Sequence, residues 1–210
     1  MRLYSNTRIS IGCSCQLTAK TRADAWALMS EWTQSESLRR HMLSVEVAMR
    51  AYARRFGGDE ELWGLAGLLH DFDYERHPSL EEHPQVGAAV LEEQGYPESV
   101  VYAIRTHADY LGLPRLSLMD KTLFAVDELT GFITAAALVR PDRSILDLEA
   151  RSVRKRMKDK AFARQVSRED IVAGAELLGV DLDEHIAFVI GAMRTIAPEL
   201  GLAGAATVSG

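Results

Sequence analysis

Six histidines occur in the chain, and five of them lie between His41 and His107. Their placement suits metal chemistry. Helical spacing puts His41 on one apolar stripe with Leu38, Met42 and Val45. His70 closes the apolar run Leu62, Ala66, Leu69, and Asp71 follows it directly. His107 stands one and two turns after Ala103 and Val100. Asp127 is embedded in LMDKTLFAVD, a stretch apolar almost all round. An ionised carboxylate in such surroundings costs several kcal/mol unless a cation or hydrogen bonds offset it. One inward histidine is ordinarily a satisfied core residue. Several imidazoles and carboxylates facing inward from separate helices have a simpler common partner, a divalent metal, because neutral imidazole and carboxylate are both ligands. Neighbours such as His70 and Asp71 splay by about 100° in a regular helix. At a helix end the backbone turns, and LLHDFDY has that character, so both can reach one ion.

The elements that would position these residues are helical. Thr21–Glu31 sets Ala, Trp26 and Leu28 on one side. Ser37–Phe56 is stopped by Gly57-Gly58. Asp59 caps a helix that continues through His70, with Glu60 and Glu61 suited to its positive end. Pro84 and Pro97 open helices through Leu91 and His107. Ser117 caps a long apolar helix ending before Pro141, and Ser167 and Asp181 lead into two more. β-branched residues do not alternate, so strands are not expected. The predicted fold class is all-α: a compact helical bundle with additional C-terminal helices. Residues 1–20 read as a leader, 21–200 as one domain (core about 38–140, C-terminal helices 145–198) and 201–210 as a flexible, Gly/Ala-rich tail.

The ordered pattern His41, His70-Asp71, Asp127 resembles the H…HD…D signature of the HD-domain superfamily of metal-dependent phosphohydrolases. The flanks agree: RRHMLSVEVAMRAYA resembles the first ligand helix, LAGLLHDFDYER the doublet, HPQVGAAVLEEQGYPESVVYAIRTH the second half of the HDIG-type subgroup, and DKTLFAVDELTGFI the helix of the last aspartate. The likeness spans about Leu38 to Val139. It implies that His41, His70, Asp71 and Asp127 ligate one divalent metal. Members with two metals add two histidines between the doublet and the last aspartate, with the doublet aspartate bridging. His83 and His107 occupy that region here, although His83 also reads as a capping residue beside Pro84. The implied reaction is metal-assisted attack of water on a phosphate ester or anhydride of a nucleotide or related small metabolite, with Asp71 holding the nucleophile and Asp73 or Glu75 protonating the leaving oxygen. Mixed His/Asp ligation suits Mn, Fe, Co or Mg more than a closed zinc site. Arg154, Lys155 and Lys158, in the basic run Arg151–Lys160, read either as a phosphate clamp or as a solvated helix face. Lys121 reads equally as a phosphate contact or an ion-pair partner. His77 and His185 fall outside the pattern and read as surface or structural. Two rivals remain: a di-iron HD-type oxygenase with an overlapping ligand set, and a non-catalytic regulatory module.

Composition limits the partners. An apolar share of 47% and a charged share of 26% are those of a folded protein. A net charge of -6 argues against nucleic acid or an anionic membrane as partner. Cys13 and Cys15, separated by one serine, read as free thiols. The first twenty residues lack a signal peptide's apolar core, and the expected location is the cytoplasm.

Overall fold

A computed structural model describes residues 19–204. Among them the chain forms nine α-helices and one 3-10 turn, with no strand beyond an isolated antiparallel bridge between Ser144 and Ala203. The all-α expectation is therefore what the structure shows. The expected leader falls almost wholly outside the described residues, as do Cys13 and Cys15.

Local sequence starts and stops the helices. Thr21 caps α1 (Arg22–Trp32) in a reciprocal box with Asp24. Ser35 caps α2 (Glu36–Phe56), and Gly57, at φ 70°, ends it in the left-handed region. Asp59 accepts from the Glu61 and Leu62 amides to start α3 (Glu60–Leu69). Next come α4 (Gln85–Glu93) and α5 (Glu98–His107), with the 3-10 turn Asp109–Leu111 after them. A Ser117–Asp120 capping box opens α6 (Leu118–Leu138). The chain finishes through α7 (Ala150–Met157), α8 (Arg168–Leu178) and α9 (Leu182–Arg194).

The two longest helices, α2 and α6, run through the middle. α3 lies on α2, α5 and α8 lie on α6, and α9 packs on α2 and α6. In α3 every residue from Trp63 to Leu69 is buried, so this helix has no wet face beyond its first turn. Its approach to α2 is close. A Cβ on Gly67 would come within 2.8 Å of the Glu46 Cα and 2.9 Å of its nitrogen, so only glycine fits there. That contact sets the depth at which the C-terminal end of α3, with His70, meets His41 on α2.

The C-terminal helices are fastened to this core. Arg194 donates to the Ile145 and Leu148 carbonyls at 3.1 and 2.6 Å. Leu202 is buried, and its carbonyl accepts from the Ile145 amide at 2.8 Å. The free tail expected from Gly201 is thus held as far as Ala203, because Leu202 has an apolar slot to fill. No helix among the described residues is long and apolar enough to cross a membrane.

Candidate metal centre

Six side chains from five segments meet at one place. His41 comes from the second turn of α2 and Asp127 from the middle of α6. His70 is the C-cap of α3, and Asp71 lies in the turn that follows. His83 precedes α4, and His107 is the last residue of α5.

Each imidazole is aimed by its outer nitrogen. The last carbonyls of a helix lack partners within it. His70 and His107 use such carbonyls: their Nδ1–H groups donate to Gly67 O at 2.9 Å and Ile104 O at 2.5 Å. His83 Nδ1–H donates to Asp73 Oδ1 at 2.8 Å. His41 Nδ1 faces the Thr130 hydroxyl at 3.5 Å, and that hydroxyl itself donates to Asp127 O. A proton on Nδ1 leaves a lone pair on Nε2, and all four Nε2 atoms point inward.

Inside, the donor atoms form two groups joined by Asp71. His41 Nε2 and His70 Nε2 are 3.2 Å apart. Asp71 Oδ2 lies 3.8 Å from the first and 3.5 Å from the second. Asp127 Oδ1 lies 3.0 and 3.5 Å from the same two nitrogens. On the other side, Asp71 Oδ1 is 3.3 Å from His83 Nε2 and 3.5 Å from His107 Nε2. His41, His70 and Asp71 make one set of mutually close donors, and Asp71, His83 and His107 make the other. Asp127 is outside the first set but meets both of its imidazoles. Donors sharing one ion at about 2.0–2.2 Å stand roughly 3–4 Å apart, as these do.

The donor set requires positive charge. Lone pairs of Nε2 facing carboxylate oxygens repel unless a proton or a cation lies between them. Without a cation the charge must come from protons. Burial alone would lower the His70 pKa, but Asp71 and Asp127 raise it to about 9. His83 is likewise raised to about 9, where the Asp71 and Asp73 hydrogen bonds outweigh its burial. Burial would raise the Asp71 carboxyl, yet His70, His107 and His83 hold it well below the usual range. Asp127 is lowered in the same way by His70 and His41. One or two divalent ions would supply that charge without protonating the ligands, and the residues fit such a group.

The cluster opens into a cavity of about 510 Å³. Tyr74, Tyr110 and Phe124 supply its aromatic walls, and Glu128, Asp109 and Asp170 add carboxylates. Burial, then the neighbouring Asp127, pushes Glu128 up to about 7, against the Ser167 amide that donates to its Oε2 at 3.0 Å.

The structure brings together His41, His70, Asp71, Asp127, His83 and His107. It does not bring in the expected acids. Asp73 is buried behind His83, with its second oxygen accepting the Gly87 amide at 2.7 Å, so it orients the ring instead of facing the cavity. Glu75 accepts the Gln34 and Ser35 amides, both at 2.8 Å, and braces the start of α2. The expected substrate cations are also elsewhere. Lys121 sits in the first turn of α6 and does not line the cavity. Arg154 pairs with Asp183 at 2.7 Å, Lys155 is exposed on α7, and Lys158 lines a neighbouring cavity. A charge run gives no direction from spacing alone, so only the fold separates Lys158, on the adjoining cavity, from Arg154 and Lys155, which line neither. Glu128 was missed, and its only signal is its place beside Asp127 on an apolar helix. His77 pairs with Glu82 at 3.1 Å on the surface. His185 is buried and structural: it accepts from the Tyr52 hydroxyl at 2.5 Å and donates to Ala125 O at 3.0 Å.

The family model of the HD domain matches residues 38–173, well over half the chain, and the protein belongs to that family. The match runs from the start of α2 into α8, beyond the stretch that the motifs cover. No curated protein and no solved structure matches the chain.

Proposed function

We propose that this chain is a metal-dependent phosphohydrolase that cleaves a phosphate ester or anhydride of a small metabolite at a two-metal centre. His41, His70, Asp71 and Asp127 would hold one ion; Asp71, His83 and His107 would hold the other. The observation that carries the reading is the division of Asp71, whose Oδ2 faces His41 and His70 while its Oδ1 faces His83 and His107. A carboxylate so placed would serve as a ligand to both ions. What divalent ions supply in such a site is Lewis acidity toward a phosphoryl oxygen and a water made nucleophilic near neutral pH.

The chain's own groups do the rest. The outer hydrogen bonds of His70, His83 and His107 fix tautomer and orientation before substrate arrives, so little reorganisation is left for the reaction. Tyr74, Tyr110 and Phe124 wall the cavity and displace water around the phosphoryl group. Glu128 lines that cavity and is our candidate to hold a proton at the leaving oxygen.

Metal analysis of the purified protein, followed by phosphate release over nucleotides and sugar phosphates, tests this. We expect about two transition-metal ions per chain and release from at least one substrate, both lost in Asp71→Ala. Turnover retained in that variant would overturn the mechanism. Oxygen uptake by the iron-loaded protein without phosphate release would instead establish the oxygenase alternative.

A further inference from the structure

Beside the metal cavity lies a second one, of about 670 Å³, formed by the strap between α7 and α8. The two share Gln165 and Val166 in their walls, so they adjoin. Their charges are opposite. Among the described residues, five carboxylates (Asp71, Asp109, Asp127, Glu128 and Asp170) line the metal cavity, and no lysine or arginine does. Lys158, Lys160 and Arg164 line the second, together with Arg168 and a single carboxylate, Glu169. Lys158, Lys160 and Arg164 are exposed, and none of them forms an ion pair among the described residues.

The strap has a fixed shape. Arg168 donates to the carbonyls of Asp159, Ala163, Val166 and Phe162, four points along it. Its guanidinium lies over the Phe132 ring, 5.1 Å from the centroid, and Phe132 packs edge-on against Phe162. Ala163 stands at φ 43°, a conformation that a non-glycine residue keeps only where its surroundings impose it. Phe132 belongs to α6, the helix that carries Asp127. The backbone that carries the strap's cations is therefore fastened to the helix of Asp127.

We propose that this strap is an anion subsite of the same active site, and that the substrate is a small molecule with two separated anionic groups. One is a phosphate worked on at the metal centre; the other is a phosphate or carboxylate held by Lys158, Lys160 and Arg164. The inference rests on the phosphohydrolase reading for its substrate, while the subsite can be tested without it. The charged side chains that an anion beyond the scissile phosphate would meet in the metal cavity are mostly carboxylates, and the neighbouring chamber gives it cations without a large movement.

The test is calorimetric titration at low ionic strength. Chelator-treated protein is titrated with inorganic phosphate, and manganese-loaded protein with fructose 1,6-bisphosphate and fructose 6-phosphate. The proteins are wild type, the triple variant Lys158→Ala/Lys160→Ala/Arg164→Ala, and Lys155→Ala as a charge control outside the cavity. We expect chelated wild type and Lys155→Ala to bind phosphate and the triple variant to lose at least about tenfold in affinity. In the loaded protein the preference for bisphosphate over monophosphate should collapse by a similar factor in the triple variant. All three residues are exposed, and a circular dichroism melt confirms the fold. Absence of phosphate binding by the chelated wild type, or equal binding by the triple variant, would overturn the subsite. Phosphate binding that depends on these residues in a protein that hydrolyses nothing would keep the subsite and remove the hydrolase reading. Fructose 6-phosphate binding as tightly as the bisphosphate to the loaded wild type would overturn the substrate class.

Discussion

Asp73→Asn is the most informative single change at the centre, because it alters hydrogen-bond polarity with almost no change in shape. Asp73 uses both oxygens: Oδ1 accepts His83 Nδ1–H at 2.8 Å, and Oδ2 accepts the Gly87 amide at 2.7 Å. Asparagine has one acceptor and one donor at these positions. If its oxygen stays with the Gly87 amide, which cannot change polarity, its NH₂ faces His83 Nδ1. That contact is favourable only when the ring proton moves to Nε2, the atom 3.3 Å from Asp71 Oδ1, and His83 then has no lone pair for a metal. If the amide flips, two donors oppose each other at Gly87, at a cost of about 1–3 kcal/mol in a buried site. The first arrangement should dominate. Disturbing such an outer partner typically weakens metal binding about 10–100-fold, which is about 1.4–2.7 kcal/mol. The loss should fall on the ion held by Asp71, His83 and His107. Calorimetric titration of chelated protein with Mn²⁺ resolves this: two steps in wild type, with only one weakened in the variant. Gly87→Ala reaches the same place sterically, since its Cβ would lie 2.7 Å from Asp73 Cγ and 2.9 Å from Phe72 Cε1. Two unchanged steps in Asp73→Asn would show that His83 is not a ligand, and the two-metal assignment would fall with it.

Two further outcomes follow from the packing. His185 is held neutral, with its pKa lowered first by burial, so the unfolded chain takes up a proton that the folded one does not. The stability that it contributes is present above its unfolded pKa of about 6.5 and is lost as pH falls below that value. His185→Leu should therefore cost about 1–3 kcal/mol at pH 8, by orphaning the Tyr52 hydroxyl and Ala125 O, and the gap from wild type in urea unfolding should narrow at pH 5.5; a gap that widens in acid would contradict the neutral ring. Arg168→Ala should release the strap, so limited trypsinolysis after Lys158, Lys160 and Arg164 should accelerate with little change in the global melt. An unchanged cleavage rate would mean that Arg168 does not hold it.

What was legible in the sequence was whatever one helix encodes by itself. Asp59, Ser117, Ser167 and Asp181 start helices through their own side chains, and those starts were readable. His41 and Asp127 stood out as polar residues on apolar faces. Composition suggests fraying from Gly201, and it gave no sign that Leu202 finds a slot made by distant residues. Asp73 was misread for a related reason: two positions after a ligand it looks available, and only the fold shows both of its oxygens already bonded, to residues 10 and 14 positions further on.

The ends of the helices do more here than close them. The C-terminal carbonyls of α3 and α5 lack partners in their own helices, and His70 and His107 bond to such carbonyls three residues back. A helix end thus supplies both the turn that lets Asp71 leave the helix direction and the acceptor that sets the tautomer of the imidazole beside it. The HD doublet works at that junction for a physical reason. Moved one turn earlier into α3, His70 would find its Gly67-type acceptor already committed within the helix, and Asp71 would point about 100° away. The same economy fails for His83, which lies in a loop with no spare helix carbonyl and needs a carboxylate, Asp73, in its place. That substitution makes His83 sensitive to a single amide-for-carboxylate change, whereas His70 and His107, aimed by backbone carbonyls, lie beyond the reach of such a change.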